Sequence, residues 1–241
     1  MSLPVDSYDL KARYTPALIV SLPFLITLWT CFNPEYETLS TAVKGIISAA
    51  ILYFASVIVR ANGKKIEPGL WESWGGPPST QIVQWKNSHI GDVLKQKYHQ
   101  CIKDLSDLPM PNAEQEQNDP ETAKTMIEDA FKRVKGTIRQ HDKNGLWSIA
   151  NAEYGFARNL LGSRILYLTT SILAIVISAI CALISFSNLA IIGIALLIIN
   201  IAAGQYFAYK RLPAYTEQVS WRYAEHAWES YFNIAETKKT G

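Results

Sequence analysis

The two longest apolar stretches of this chain, 165–186 and 189–208, contain no Asp, Glu, Lys, Arg or His. Each reaches the roughly 20 residues that a helix rising about 1.5 Å per residue needs to cross a hydrocarbon core of about 30 Å. Cysteine is scarce too. Cys31, Cys101 and Cys181 have no paired spacing, and two of them lie in apolar runs, so neither a disulfide framework nor a zinc site is expected. The four histidines are dispersed. His99 and Cys101, two apart, point to different faces of a helix, which disfavours a shared metal.

Also missing are the Ser-His-Asp, H-E-x-x-H, Rossmann and P-loop patterns. No catalytic residue, cofactor or metal is expected, and the chain is not expected to be an enzyme. A carboxylate in mid-membrane, the usual mark of ion-coupled transport, is absent from the apolar runs. Nor is there an excess of one charge. The net charge is +2, and 60–164 carries 15 Lys/Arg against 13 Asp/Glu, so no nucleic-acid partner is expected.

What the chain does have is segregation. Apolar residues gather in 16–59 and 165–208, while 60–164 is polar and punctuated by Pro and Gly. This predicts an all-α membrane protein with a lipid bilayer as its first partner. An N-terminal hairpin (1–59) would hold spans at about 15–32 and 41–59, and a second hairpin (165–209) spans at about 165–186 and 189–208. A helical cytoplasmic module (60–164) is inserted between them, and an amphipathic C-terminal helix (210–241) follows. Acidic Asp6 and Asp9 and the lack of a small-x-small site after the first run predict a retained helix, not a cleaved signal.

Orientation follows from the cations. Of 23 Lys/Arg, Lys44 alone falls on the side of the short connections at 33–40 and 187–188. The positive-inside rule then places both termini and the module in the cytoplasm of a multi-pass protein of the plasma membrane. Arg60, Lys64, Lys65, Arg158, Arg164, Lys210 and Arg211 are the expected headgroup contacts.

Several local signals refine this picture. Trp71, Trp74, Gly75, Gly76, Pro77 and Pro78 combine interfacial aromatics with turn residues and read as an interfacial anchor or hinge. Asp119 and Pro120 suit the N-cap and first position of a helix, while 108–118 reads as a loop. Trp147, Ala150, Tyr154, Ala157 and Leu161 mark another helix, which ends at a Gly162-Ser163 elbow where Ser163 would cap the next. Pro23 should kink the first span, and Pro213 should break the helix after the last. Trp221, Ala224, Trp228, Tyr231 and Ala235 form an aromatic face suited to docking on the module.

Inside the spans the informative residues are small or mildly polar. Ser171, Ala174, Ser178, Ala182 and Ser185 make one face of the third span. Gly193, Asn200, Gly204 and Phe207 share a side of the fourth, and Gly45, Ala49 and Ser56 are candidates on the second. Such faces allow close helix approach, and Asn200 is costly against lipid. Ser171, Ser178, Ser185, Asn200 and Gly204 are therefore candidates for a packing face or, in an assembly, for a pore lining.

The motifs Lys11-Ala12-Arg13-Tyr14-x-Pro16-Ala17-Leu18, Leu70-Trp71-x-x-Trp74-Gly75-Gly76-Pro77-Pro78 and Tyr154-Gly155-Phe156-x-Arg158-Asn159-Leu160-Leu161-Gly162 resemble those of a family of uncharacterised bacterial four-span membrane proteins. The resemblance implies a bacterial inner-membrane location and brings no chemistry with it. By layout the chain also resembles small multi-span effectors of bacterial antiphage systems, in which a cytoplasmic part senses a signal and the spans perturb the membrane. The expected function is a homo-oligomeric bundle controlled by the cytoplasmic module, in its concrete form an antiphage effector that permeabilises the membrane. The alternative is a non-conducting anchor or sensor scaffold that recruits a cytoplasmic protein partner.

Overall fold

The computed structural model describes residues 7–31, 40–142, 145–185 and 188–240. Among these residues the regular structure is entirely helical. Four of the helices are long and apolar enough to cross a membrane, which makes this a multi-pass membrane protein. The expected turn at 33–37, the hinge at Ser187, and Lys143 and Asn144 lie outside the described residues, as does the side chain of Ser185.

In chain order the helices are α1 (Ser7–Cys31), α2 (Thr41–Ser73), α3 (Pro78–Gln81), α4 (Asp92–Ser106), α5 (Ala113–Asn118), α6 (Pro120–His141), α7 (Leu146–Gly162), α8 (Arg164–Ser185), α9 (Asn188–Tyr206) and α10 (Leu212–Thr240). They form two compact units. One holds residues 1–67 and 155–216, the other 68–154 and 217–241. The chain passes from one to the other within α2, α7 and α10.

In the first unit α1, α8 and α9 pack against one another. Glycines set the close approaches. A Cβ on Gly193 would lie 2.6 Å from Thr30 Oγ1, and one on Gly204 would meet the ring of Tyr167. Much of the remaining surface is apolar and exposed, including Ile46, Tyr53, Phe54 and Val57 on α2 and Ile172, Val176 and Ile180 on α8. Apolar residues turned outward on helices of this length are the expected covering for lipid.

The apolar run of α2 does not end its helix at residue 59. The helix continues through the cations Arg60, Lys64 and Lys65, and through Pro68, as far as Ser73. Pro68 leaves the carbonyl of Lys64 without its helical donor, and Lys64 is an exposed residue.

Two other prolines are absorbed by wide turns. Leu10–Tyr14 and Phe207–Arg211 each form a π-helical turn ending two residues before a proline, Pro16 and Pro213. In each the residue before the proline bonds five back, Thr15 N–H to the Leu10 carbonyl and Leu212 N–H to that of Phe207. The extra residue in the turn moves the ring away from the carbonyl four positions back, with which it would clash in a regular helix. The expected break at Pro213 is therefore corrected: helical structure runs on through it into α10.

The second unit has a conventional core. Tyr98, Cys101 and Ile102 of α4, Ile127, Ala130, Phe131, Val134 and Ile138 of α6, and Trp147 of α7 close around Ala224, Trp228, Tyr231 and Ala235 of α10. The aromatic face of α10 is thus a core face. Trp228 is fully buried, its ring stacks on Tyr98, and its Nε1–H donates to the Ser79 carbonyl at 2.9 Å.

The loop expected at 108–118 contains α5 instead. Asn112 accepts from Gln115 N–H at 2.7 Å and Gln115 accepts from Asn112 N–H at 2.9 Å, a reciprocal cap sufficient to start a short helix. Ser163 does not cap α8 with its side chain. Its carbonyl accepts from Tyr167 N–H, while its buried hydroxyl has no partner.

Gly162→Ala would drive a methyl to 2.6 Å from the Asn62 carbonyl oxygen, backbone that cannot swing aside. It is expected to cost on the order of 1–3 kcal/mol in unfolding of the detergent-solubilised protein. Gly136→Ala on the exposed face of α6, with open space around it, is expected to raise stability by up to about 1 kcal/mol.

Candidate functional site

Pro16 has no N–H, so in an α-helix the carbonyl of Ala12, four residues earlier, would lose its donor. A side chain of α7 supplies one. Asn159, almost wholly buried, donates Nδ2–H to the Ala12 carbonyl at 2.7 Å. The amide's other end accepts from Arg158, whose Nη2 lies 3.2 Å from Asn159 Oδ1.

Arg158 in turn donates Nη1–H to Glu67 Oε1 on α2 at 2.6 Å. Glu67, Arg158, Asn159 and the Ala12 carbonyl are therefore one polar chain joining α2, α7 and the first turns of α1. Glycines make room for it. A Cβ on Gly63 would sit 2.1 Å from Asn159 Oδ1, and one on Gly155 would sit 2.9 Å from the Ala12 methyl and 3.3 Å from the Tyr8 hydroxyl. The Lys-Ala-Arg and Tyr-Gly-Phe-x-Arg-Asn motifs thus meet in space although more than a hundred residues separate them.

A second set of polar contacts lies among the spans. Thr27 of α1 and Ser178 of α8 share a hydrogen bond at 3.2 Å, and Thr170 Oγ1 donates to the Val20 carbonyl at 3.2 Å. The Tyr167 hydroxyl lies 2.6 Å from both the backbone and the side-chain carbonyl of Asn200 on α9, so one proton serves two acceptors. Ser171 turns back to the Tyr167 carbonyl at 2.7 Å.

Of the candidate face, Ser171 and Ser178 are fully buried within the chain, Asn200 is bonded to Tyr167, and Gly204 lies under that ring. Phe207 and Gly45 are outside any such contact: Phe207 is exposed, and Gly45 has no atom within 4 Å of a Cβ position. On α2, Ser56 is buried and bonded to the Tyr53 carbonyl, whereas Ala49 is exposed.

The cations nominated for lipid headgroups divide. Arg60, Lys64, Lys65, Lys210 and Arg211 are exposed, and Arg164 lies over the ring of Tyr209 at 5.1 Å. Arg158 donates to Glu67, a partner that nothing in the surrounding sequence marks. Lys44 is buried, its ammonium 5.4 Å from the centre of the Trp29 ring, a cation–π contact at the head of α2.

The Trp-Gly-Gly-Pro-Pro segment resolves into a helix stop. Gly76 N–H bonds the Trp71 carbonyl and Gly75 N–H the Glu72 carbonyl, with φ of +79° at Gly75 and +132° at Gly76. This is a Schellman cap, and its left-handed positions need glycine. Gln81 Nε2–H then ties the Trp74 and Gly76 carbonyls, and Pro78 opens α3.

A third group of buried polar residues holds the loop at 82–91. Glu116 accepts from the N–H groups of Trp85 and Lys86 at 2.9 and 3.1 Å. Lys95 donates to the carbonyls of Trp85 and Asn87 and to Asp92, and His99 Nε2 bonds the Val83 carbonyl at 2.9 Å. Burial holds the His99 imidazole below its ordinary value of 6.5, against the opposing pull of the Val83 carbonyl and Glu116. At the end of the loop His89 stacks on Trp221 and bonds Glu225 at 2.6 Å.

No group of three or more His, Cys, Asp or Glu suited to a metal occurs among the described residues. No family model, curated protein or solved structure matches the chain.

Removing one member of the Arg158–Glu67 pair leaves the other charge enclosed. Arg158→Gln is expected to cost about 3 kcal/mol, the low end for a buried pair because both side chains keep some solvent contact. In a double-mutant cycle, Arg158→Gln with Glu67→Gln should recover part of the loss.

His99 supplies a pH test. Its folded-state value lies below the unfolded 6.5, so the neutral form's contribution is complete above that pH and declines as pH falls through 6.5. Thermal unfolding of the wild type should show this decline, and His99→Gln should flatten it.

Proposed function

We propose that this chain is a bacterial inner-membrane sensor scaffold that does not conduct. Its termini and the unit of 68–154 and 217–241 lie in the cytoplasm, where that unit takes a protein partner or signal. The observation that carries the reading is that the polar groups among the spans are spent on one another: Ser178 on Thr27, Thr170 on Val20, Asn200 on Tyr167. A conduit lined by the serine face would have to strip these bonds first, at a cost set by the lack of water around them.

The three passages of the chain between its units, each inside a helix, support a transducing role. They offer a covalent route for a helix displacement, with the Glu67–Arg158 pair close to two of the crossings. Because Trp228 is core, a partner would use the exposed faces of this unit.

Purified protein reconstituted into dye-loaded vesicles should release no dye, and the particle should be a monomer or dimer with Ser178 and Asn200 inside each protomer. Dye release, or a ring with those residues on its axis, would sink the scaffold reading. Orientation is tested separately: a cysteine placed at Gly136 should resist an impermeant maleimide in intact cells and react after lysis.

One observation favours a second reading, a membrane-perturbing antiphage effector assembled from several copies. Gly45 and Ala49, four apart and uncovered on α2, suit close packing against another helix in the bilayer. On this reading, induction depolarises the membrane and protects against phage, and Gly45→Leu abolishes both effects. Induction with neither effect counts against it.

A further inference from the structure

Cys31 and Cys181 stand 150 positions apart in sequence, yet the fold makes their side chains neighbours: Cys31 Sγ reaches Ser178, three residues before Cys181 on α8. Cys31 is the last residue of α1, and Cys181 lies four residues before the end of α8. At about 1.5 Å per residue this puts Cys181 roughly 6 Å inside its helix end. The neighbourhood is packed: Cys31 Sγ meets Ser178 Oγ at 3.7 Å, and Ser178 bonds Thr27 on α1. Both cysteines are partly exposed, whereas Cys101 is buried in the core of the other unit.

We propose that Cys31 and Cys181 are a redox site that closes a disulfide between α1 and α8. The cellular part of the proposal rests on the orientation proposed for the chain, which turns these helix ends toward the oxidising side of the inner membrane. Two S–H bonds break and one S–S bond of about 2.05 Å forms. Two protons leave, and two electrons pass to a disulfide-bearing thiol oxidant, which is reduced to its dithiol. The bond fastens α1 to α8 at the end where Thr27 and Ser178 already join them. The pairing is hidden from the sequence because neither cysteine has a partner within its own helix, and only the packing of α1 on α8 brings them together.

The experiment counts thiols and maps the bond. Full-length protein is treated with a disulfide oxidant, denatured, alkylated with a heavy maleimide with or without prior reduction, and digested for mass spectrometry. The wild type should fall from three reactive thiols to one, Cys101, with a single cross-linked peptide pair joining Cys31 to Cys181. Cys31→Ser and Cys181→Ser should each retain two thiols under the same oxidant.

Three reactive thiols after oxidation, or a bond between chains, would overturn the pairing whatever the orientation. In the second arm, cells are quenched with acid before alkylation. One thiol in the wild type supports formation in the cell. Three thiols there, from protein that closes the bond once purified, would overturn the cellular disulfide, and the maleimide test at residue 136 then shows whether the orientation was at fault.

Discussion

Every carbonyl and hydroxyl buried in a packed interior needs a partner within the protein, because no water reaches it. Pro16 sharpens that demand by withholding the amide that the Ala12 carbonyl would use in a helix. The answer is the amide of Asn159, and much of the first unit follows from holding that amide in place. Gly63 and Gly155 thin the neighbouring surfaces, Arg158 occupies the other end of the amide, and Glu67 neutralises Arg158. The same demand explains why the threonines and serines of the spans bond between α1 and α8 or back along their own helix, and why Asn200 is met by Tyr167.

The second unit faces a milder version of the problem. The loop at 82–91 runs over the core and satisfies only part of its own backbone, so Glu116 takes two of its N–H groups while Lys95 and His99 take carbonyls. Three ionisable side chains are buried here for a structural purpose. Burying them costs desolvation, and the cost is offset because each ends on well-formed hydrogen bonds. Burial holds the His99 imidazole below its ordinary value, so acid weakens this support of the loop near neutral pH.

The helices with a strong period are legible in the sequence itself. Trp147, Ala150, Tyr154 and Ala157 are all buried, and Asp119 and Pro120 open α6 as cap and first residue. So are the four apolar helices, since length and hydropathy are local properties. What stays hidden depends on two distant segments at once. Glu67 with Arg158, Cys31 with Cys181 and Glu116 with the loop at 82–91 leave no mark in their own neighbourhoods. Two expectations fail for local reasons. Pro213 reads as a break although a π turn can absorb a proline, and the Asn112-x-x-Gln115 cap is easily passed over inside a polar stretch.

The placement of the Arg158–Glu67 pair bears on what the fold can transmit. Glu67 is the last residue of its segment in the first unit, and Arg158 lies three residues after α7 enters it. A buried ion pair adds little net stability over a well-packed apolar one, but breaking it by a small displacement is expensive. An interaction of that kind resists gradual deformation and yields in a step. Any displacement of α2 relative to α7 would have to break this pair and strip the Asn159 amide of its Arg158 donor. Loss of the Asn159 amide would leave the buried Ala12 carbonyl without its side-chain donor, which is why the pair, the amide and Pro16 have to be read as one unit.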